Sequence, residues 1–259
     1  MDISTIAGLV VGFGALALSV TLEGGSLGAL WSVPAFIIVM GGTLGAALIS
    51  FPKQYIIGLP KLIGQAFKEP KGAMSPVQVV SFFVELANKA RREGLLSLEE
   101  EGAKVKDDFM RKGIQLIVDG VDPKVVREIL ETDAGLMGQR HLGGYSVLDA
   151  MGGFAPTMGI IGTVMGLVNV LGNLSEPGEL GPAIAVAFIA TLYGVGTANL
   201  LWLPLGSKLK RKSEAEVYLR ELMTEGILSV QAGDNPRIVK DKLDAFLAPV
   251  QRKKAKGKG

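Results

Sequence analysis

The sequence predicts an all-α fold, a polytopic membrane protein with four transmembrane helices and a helical cytoplasmic domain. Four apolar segments each hold about 20 residues or more, enough for a helix to cross the roughly 30 Å hydrocarbon layer. All 27 Lys and Arg residues lie outside these segments, in the stretches Lys53–Arg140 and Lys208–Lys258. Apolar residues do not alternate with period two for long, so no substantial sheet is expected.

The distribution of charge predicts the topology. Basic residues collect on the cytoplasmic side of membranes, whereas the connections Glu23–Ala29 and Gly172–Pro182 contain none. We therefore expect a multi-pass protein of the cell inner membrane that contacts lipid and has both termini in the cytoplasm. The apolar segments are Ile3–Leu22, Leu30–Phe51, Ala150–Leu171 and Ala183–Leu205.

This topology divides the chain into four parts. Residues 1–52 form the first two spans with a short periplasmic loop, and residues 53–149 form a cytoplasmic helical domain. Residues 150–205 form the third and fourth spans with a second short periplasmic loop. Residues 206–259 form cytoplasmic helices and a basic, disordered tail.

The cytoplasmic residues show helical patterns with clear starts and stops. Lys53–Phe67 is typical of a helix lying at the membrane surface, interrupted by Pro60. Ser75 and Gln78 form a capping-box pattern for the next helix, which Gly94 ends. The next predicted helix runs from Ser97, which forms a capping box with Glu100, to about Val118. A further helix begins at Pro123 and continues through Asp149 into the third span. The last two predicted helices are Gly206–Val230 and Pro236 to about Leu247. The tail Gln251–Gly259 is expected to be disordered.

Composition argues against several functions. The chain has no Cys, so disulfides and thiolate metal sites are excluded, and its one His, His141, cannot alone build a multi-histidine centre. A net charge of +2 does not suggest a nucleic-acid partner. The spans contain no Ser–His, paired-carboxylate or HExxH constellation, so we expect neither an enzyme nor a cofactor.

The four spans contain no Asp, Glu, Lys, Arg or His side chain. Ion pathways through membranes usually place such a group at depth. If this chain conducts ions, another subunit must therefore supply the carboxylate. The polar side chains that the spans do offer are hydroxyls and amides: Thr43, Thr163, Asn169, Thr191, Tyr193, Thr197 and Asn199.

Small residues form a helical face on the third and fourth spans, and each face contains a threonine. One interpretation is ordinary close packing of helices, with each threonine bonded to its own backbone. The other is that the faces line a shared space where the threonines touch an ion. The faces consist of Gly152, Pro156, Gly159, Thr163 and Gly166, and of Ala187, Thr191, Gly194 and Ala198.

Three stretches of the sequence resemble the motifs of a known protein family. Ala155–Leu167 (APTMGIIGTVMGL) resembles the third span of the MotA/PomA flagellar stator family, which is part of the MotA/TolQ/ExbB proton channel superfamily. Ala187–Gly194 (AFIATLYG), followed by Asn199 and Pro204, resembles the fourth. Ala90–Glu99 (ARREGLLSLE) resembles the charged cytoplasmic motif. These stretches occur in the family's order, and the resemblance covers nearly the whole chain.

The resemblance implies a stator subunit of the flagellar motor. In that family, five chains surround two copies of a single-span MotB/PomB-type partner, which supplies an aspartate to a channel for H+ or Na+. Ion flow turns a rotor C-ring protein of FliG type. The residues that would act on the rotor are Arg92 and Glu100, with Arg91 and Glu99 as their neighbours.

The resemblance also assigns residues within the membrane. Pro156 and Pro204 match the functional prolines of the family, and Thr163 and Thr191 match threonines of its ion path. Ala190 stands where sodium-type members have a second threonine. The coupling ion stays open between H+ and Na+, with a slight preference for Na+ because of Thr163.

Two other functions are compatible with the sequence. ExbB/TolQ-type energy-transducing proteins have similar last two spans, although they have three spans in all. A membrane scaffold without transport would explain the small-residue faces as packing seams. The charged motif also has a structural explanation, because arginines suit a helix C-terminus and glutamates suit the next N-terminus, each contributing roughly 0.3–1 kcal/mol.

Overall fold

The computed structural model describes residues 2–68, 74–172 and 177–256, and all regular structure within these ranges is helical. This confirms the all-α prediction. The helices are α1 (Ile3–Leu22), α2 (Val33–Phe36), α3 (Gly42–Ser50), α4 (Lys53–Ala66), α5 (Pro76–Glu93), α6 (Glu99–Lys104), α7 (Asp108–Val118), α8 (Pro123–Gly172), α9 (Pro177–Thr197), α10 (Leu203–Gln231), α11 (Pro236–Asp244) and α12 (Pro249–Lys256).

Short irregular turns join some of these helices without breaking their course. A π-helical turn at Ile37–Gly41 continues α2 into α3, and another at Ala198–Trp202 continues α9 into α10. Two 3-10 turns, Leu27–Leu30 and Leu95–Leu98, precede α2 and α6.

The chain forms two compact units. The first consists of Met1–Glu69 and His141–Arg211, and the second of Pro70–Arg140 and Lys212–Gly259. In the described part of the chain, four helical stretches are long and apolar enough to cross a membrane: Ile3–Leu22, Val33–Ser50, Pro123–Gly172 and Leu180–Gln231. They match the four predicted spans in number and order.

The first unit is built by close contacts between the apolar helices. The phenolic hydroxyl of Tyr193 on α9 donates to the carbonyl oxygen of Leu30 at 2.6 Å and accepts from the amide of Ser32 at 3.2 Å. Because these are distant in sequence, the bonds fix the start of α2 to α9. A buried cluster holds the opposite end of the unit together: Ala47, Leu59, Ala66, Val147, Leu148, Met151, Ala155, Ala198, Trp202, Leu205 and Leu209.

The second unit has its own apolar core. The amphipathic faces of α5, α7 and α11 pack against parts of α8 and α10. The largest fully buried side chains of this core are Phe83, Leu98, Met110, Ile114, Ile117, Leu130, Leu222, Met223, Ile227, Leu243 and Leu247.

Several predicted boundaries are confirmed. Ser75 accepts from the amide of Gln78 while the Gln78 side chain accepts from the amide of Ser75, which is the predicted capping box. Gly94 follows α5 with φ +83°, a conformation that favours glycine. Helix α8 runs without interruption from Pro123 into the third apolar segment, as predicted.

The predicted helix from Ser97 to Val118 is wrong. It is two helices, because Asp107 caps α7 by accepting from the amide of Met110 at 2.9 Å. The Ser97–Glu100 capping box is also wrong. Helix α6 begins only at Glu99, and the Ser97 hydroxyl instead donates to the carbonyl of Gly94 at 2.7 Å.

Two other local predictions need correction. Helix α4 is continuous through Pro60 and is not interrupted there, although a proline cannot donate the hydrogen bond to the carbonyl of Ile56. The sequence predicts a disordered tail from Gln251, yet residues up to Lys256 belong to helix α12. Residues 257–259 lie outside the described part, as do residues 173–176 of the connection between the third and fourth predicted spans.

Candidate functional site

The two small-residue faces of α8 and α9 pack against each other. A Cβ atom placed on Gly159 would lie 2.8 Å from the carbonyl oxygen of Ala190, and one on Gly194 would lie 2.5 Å from that of Ala155. Both distances are shorter than contacts of real side chains. The glycines therefore let the two helix backbones touch.

Thr163 and Thr191 meet at this seam. Their hydroxyl oxygens lie 2.6 Å apart. The Thr163 oxygen is also within hydrogen-bond distance of the carbonyl oxygens of Gly159, at 3.1 Å, and Ala187, at 3.0 Å. A hydroxyl has a single hydrogen, so one of these partners at a time receives it.

This arrangement combines the two interpretations of the threonines. Thr163 can bond to its own helix, as in ordinary packing, but its hydroxyl also pairs with that of Thr191 across the seam. When Thr191 is the donor of the pair, its oxygen keeps two lone pairs. Both side chains are half-buried, so the pair is not sealed within the helix contact.

Ala190 lies next to this pair in sequence but faces another way. It is buried, and a Cβ placed on Gly162 would lie 2.7 Å from its methyl carbon. It also belongs to a small apolar cluster with Ala35 and Ile189. The structure therefore brings Thr163 and Thr191 together and places Ala190 inside the packing.

The other polar residues of the spans have separate surroundings. Thr197 donates to the carbonyl of Tyr193 at 2.7 Å, and Asn199 donates to that of Val195 at 2.9 Å, so both satisfy their own helix. The hydroxyl of Thr43 and the indole N–H of Trp202 are buried without a partner among the described residues. Sequence reasoning did not single out Trp202, since an apolar segment offers no signal that its N–H is unpaired.

The two prolines stand at different places in the helices. Pro156 lies within α8 and is half-buried, four residues after Gly152, whose carbonyl it leaves without the usual helical donor. Pro204 is exposed and lies two residues after the π turn Ala198–Trp202, as the second residue of α10. Such turns interrupt the regular bonding of a helix and are common at functional sites.

The charged motif forms an exposed turn in the second unit. Arg91 and Arg92 lie in the last turn of α5, and Glu99 and Glu100 in the first turn of α6. All four side chains are exposed, and within the described residues none of them forms an ion pair or hydrogen bond. Their charges therefore remain available to another molecule.

The base of this turn is held by neighbouring charges. Lys89 Nζ lies 2.9 Å from Glu101 Oε1, and Lys104 Nζ lies 3.1 Å from the same oxygen. The hydrogen bond from Lys89, followed by that from Lys104, lowers the pKa of the Glu101 carboxyl. The hydrogen bond to Glu101 raises the pKa of Lys89. Leu98 is fully buried below the turn and joins it to the core.

No group of three or more His, Cys, Asp or Glu side chains that could hold a metal ion occurs among the described residues. Between α8 and α9, the hydroxyl oxygens of Thr163 and Thr191 meet directly.

Two protein-family models match the sequence of this chain. Residues 101–222 match the MotA/TolQ/ExbB proton channel family, and residues 6–94 match the motility protein A N-terminal model. Motility protein A of Bacillus subtilis is 39% identical over 98% of this chain and 94% of its own length. Chemotaxis protein PomA of Vibrio alginolyticus is 39% identical over 95% of this chain and 96% of its own.

Solved structures agree with these relatives. A chain in the flagellar MotAB stator complex of Bacillus subtilis matches with a TM-score of 0.91 at 39% identity, covering 97% of this chain and 98% of that one. A chain of C. jejuni MotAB matches with a TM-score of 0.90 at 30% identity, covering 96% and 97%. The present chain therefore belongs to the MotA/TolQ/ExbB proton channel family, in its motility protein A branch.

Proposed function

We propose that this chain, a flagellar stator subunit by its family and relatives, forms a cation channel with a MotB-type partner and converts ion flow into rotation. Its family consists of ion-conducting motor subunits and not of known enzymes. The observation that carries the mechanism is the Thr163–Thr191 hydroxyl pair in spans that contain no Asp, Glu, Lys, Arg or His. Such a site can coordinate a passing cation but cannot neutralise it.

The partner supplies the missing charge. Both solved structures described above are MotAB complexes, which supports a MotB-type partner here. An aspartate on a single partner helix, placed beside the threonines, would complete an oxygen-lined path for a hard cation. Ile160, Val164 and Val168 recur every four residues on α8 and are exposed, so this face is available to other chains or to lipid. The pentameric arrangement around two partner helices rests on the family resemblance.

The chain is an inner-membrane protein by family and by its apolar helices. We place both termini and the second unit in the cytoplasm, because all the basic residues occur in the stretches assigned to that side. The charged turn of Arg91, Arg92, Glu99 and Glu100 then faces the compartment of the rotor, where it would meet complementary charges on a FliG-type protein.

The coupling ion is H+ or Na+, and no resident cofactor is proposed. Two hydroxyl oxygens suit a sodium ion, which prefers oxygen ligands, but hydroxyls can also pass a proton. The Ala190 side chain has no oxygen and is buried, which leaves the described part of this site with fewer side-chain ligands than a site with three threonines.

Reconstitution tests this function. The chain is co-expressed with the single-span protein of its own organism that has an aspartate near the start of its span. Sodium and proton fluxes are then measured in proteoliposomes. We expect flux that is lost when the partner's aspartate is changed to asparagine. A complex that assembles normally but conducts neither ion would support the membrane scaffold instead.

A further inference from the structure

Helix α4 lies along the membrane boundary of the first unit. It begins at Lys53, three residues after Ser50, where the second apolar helix ends. At its other end, the carbonyl oxygen of Phe67 accepts from the amide of Asp2 at 2.9 Å, and Asp2 directly precedes α1. Since each end of α4 is fixed to the end of a membrane span, the helix runs along the membrane surface.

A second contact strengthens the attachment at Asp2. Lys208 Nζ, just beyond the fourth span, lies 2.5 Å from Asp2 Oδ2, and the Ser4 hydroxyl donates to Asp2 Oδ1 at 2.7 Å. The hydrogen bonds from Lys208 and Ser4 hold the pKa of Asp2 well below its usual range. The anchor of α4 at Phe67 is therefore itself tied to α1 and α10.

The inward face of α4 is used by the fold. Leu59 and Ala66 are buried in the cluster that contains Val147, Leu148 and Leu205. Leu62 packs beside the main chain at Gly144, where an added Cβ would lie 3.3 Å from its methyl carbon. This face has no room for another molecule.

The outward face of α4 has a different character. Lys53, Ile57 and Lys61 follow one another at intervals of four residues and therefore share one face of the helix. Ile57 is 75% exposed. Both lysines are exposed, and neither forms an ion pair or hydrogen bond within the described part of the chain. The lysines lie about 12 Å apart along the helix, at a rise of 1.5 Å per residue.

We propose that this outward face binds anionic phospholipid headgroups. At this depth, Ile57 can enter the boundary of the acyl chains, while the two lysines extend their ammonium groups to phosphates on either side. Charge complementarity favours lipids with a net negative charge over zwitterionic ones. The proposal rests on the proposed insertion of the first unit into the membrane, but it does not depend on ion conduction.

Lipid retention provides the test. The chain is purified with its single-span partner and placed in nanodiscs that contain phosphatidylcholine and phosphatidylglycerol. After extraction, the ratio of the two retained lipids is measured by native mass spectrometry. We expect the wild type to be enriched in phosphatidylglycerol. In Lys53→Gln/Lys61→Gln this enrichment should drop by about fivefold for each lysine removed, because that factor corresponds to the usual strength of one lysine at an anionic surface. Lys53→Arg/Lys61→Arg should retain the enrichment.

Matched controls separate this site from general charge. Lys106→Gln/Lys124→Gln removes the same charge from exposed lysines of the second unit and should leave the lipid ratio unchanged. Equal enrichment in the wild type and in Lys53→Gln/Lys61→Gln, or an equal loss in both double variants, would overturn the proposal. Displacement of the lipid by millimolar inorganic phosphate would also overturn it, by assigning the lysines to free phosphate. A complex that retains phosphatidylglycerol but conducts no ion would contradict the channel and leave the lipid site standing.

Discussion

The hydroxyl oxygens of Thr163 and Thr191 lie 2.6 Å apart, across a seam where α8 and α9 touch through glycines. At this distance one hydroxyl donates a hydrogen bond to the oxygen of the other. A cation that binds here must replace that bond or use the lone pairs left over. Loss of the Thr163 hydroxyl and loss of the Thr191 hydroxyl should therefore have different effects on conduction.

Thr191→Ala removes the hydroxyl and should therefore reduce ion flux and swimming speed, while the complex still assembles. Thr191→Ser should have a milder effect, because it keeps the oxygen. Thr163→Ala should mainly change the dependence of speed on sodium. Speed is measured across a sodium titration, and assembly by co-purification of the partner. Normal titration curves for both alanine variants would leave the threonines with a packing role only.

The close contact of α8 and α9 should be sensitive to a single methyl group. In Gly194→Ala the new Cβ would lie 2.5 Å from the carbonyl oxygen of Ala155, and backbone cannot move aside as a flexible side chain can. Overpacking of this kind costs about 1–3 kcal/mol. We expect a lower yield of assembled complex and a lower midpoint of thermal unfolding.

Gly196→Ala is the matched control for this change. It adds the same methyl group two residues away on the same helix, where no atom beyond the adjacent residues and the backbone of its own helix lies within 4 Å of the new Cβ. Its yield and unfolding midpoint should equal those of the wild type. Equal effects of the two substitutions would mean that helix flexibility, not the contact with Ala155, makes Gly194 necessary.

The turn between α10 and α11 should be sensitive to acid. Asp234 Oδ2 accepts from Lys242 Nζ at 2.6 Å and from the Ser229 hydroxyl at 2.5 Å. These bonds, that of Lys242 first, lower the pKa of Asp234 from its usual value of 3.8. A lowered pKa in the folded state stabilises the turn above pH 3.8, and this stabilisation is lost as the pH falls towards the lowered value.

Asp234→Asn should therefore weaken the turn at neutral pH. The stability of the turn in this variant should approach that of the wild type as the pH falls below 3.8. Pulsed hydrogen exchange of the α11 amides, after equilibration between pH 7 and pH 3, measures the difference. Asp241→Asn serves as a control, because that carboxylate is exposed and has no partner among the described residues. A constant difference between wild type and Asp234→Asn at every pH would exclude ionisation as the cause.

The membrane helices were predictable because length and hydropathy suffice to recognise a span, whereas local turns depend on single contacts. The sequence of Ser97 to Glu100 has the residue types of a capping box, but Leu98 is drawn into the core and the Ser97 hydroxyl bonds to Gly94. Asp107 lies in the middle of a predicted helix but caps α7, next to the buried side chains of Phe109 and Met110. A residue's helical preference yields where burial of a neighbour fixes the backbone.

The candidate site was predictable in part. Spacing placed Thr163 and Thr191 on matching small-residue faces, and the structure brings their hydroxyls together. Spacing could not show that Ala190 turns into the packing, because adjacent residues on a helix point about 100° apart and only the neighbouring helix decides which is buried. The bonds of Tyr193 to the start of α2 depend on residues more than 160 positions away, which no local pattern reveals.

The exposed charges of Arg92 and Glu100 should transmit force to the rotor. Arg92→Glu and Glu100→Lys should each impair motility more than the corresponding alanine variants, because reversal adds repulsion to lost attraction. Exposed ion pairs contribute up to about 1 kcal/mol each, which suits contacts that form and break at every step. A compensating charge reversal on the rotor protein should restore part of the motility, measured as swimming speed at equal protein abundance.

A structural role for these charges makes a different prediction. Helix stabilisation would lower abundance in proportion to motility, and no change on the rotor would rescue it. Glu101→Lys provides the reference for that behaviour, because Glu101 is paired with Lys89 and Lys104 at the base of the turn. Glu100 forms no capping bond and has no ion pair within the described residues, so its reversal should leave abundance near the wild-type level. If Glu100→Lys instead behaves like Glu101→Lys, the assignment of Glu100 to the rotor contact is wrong.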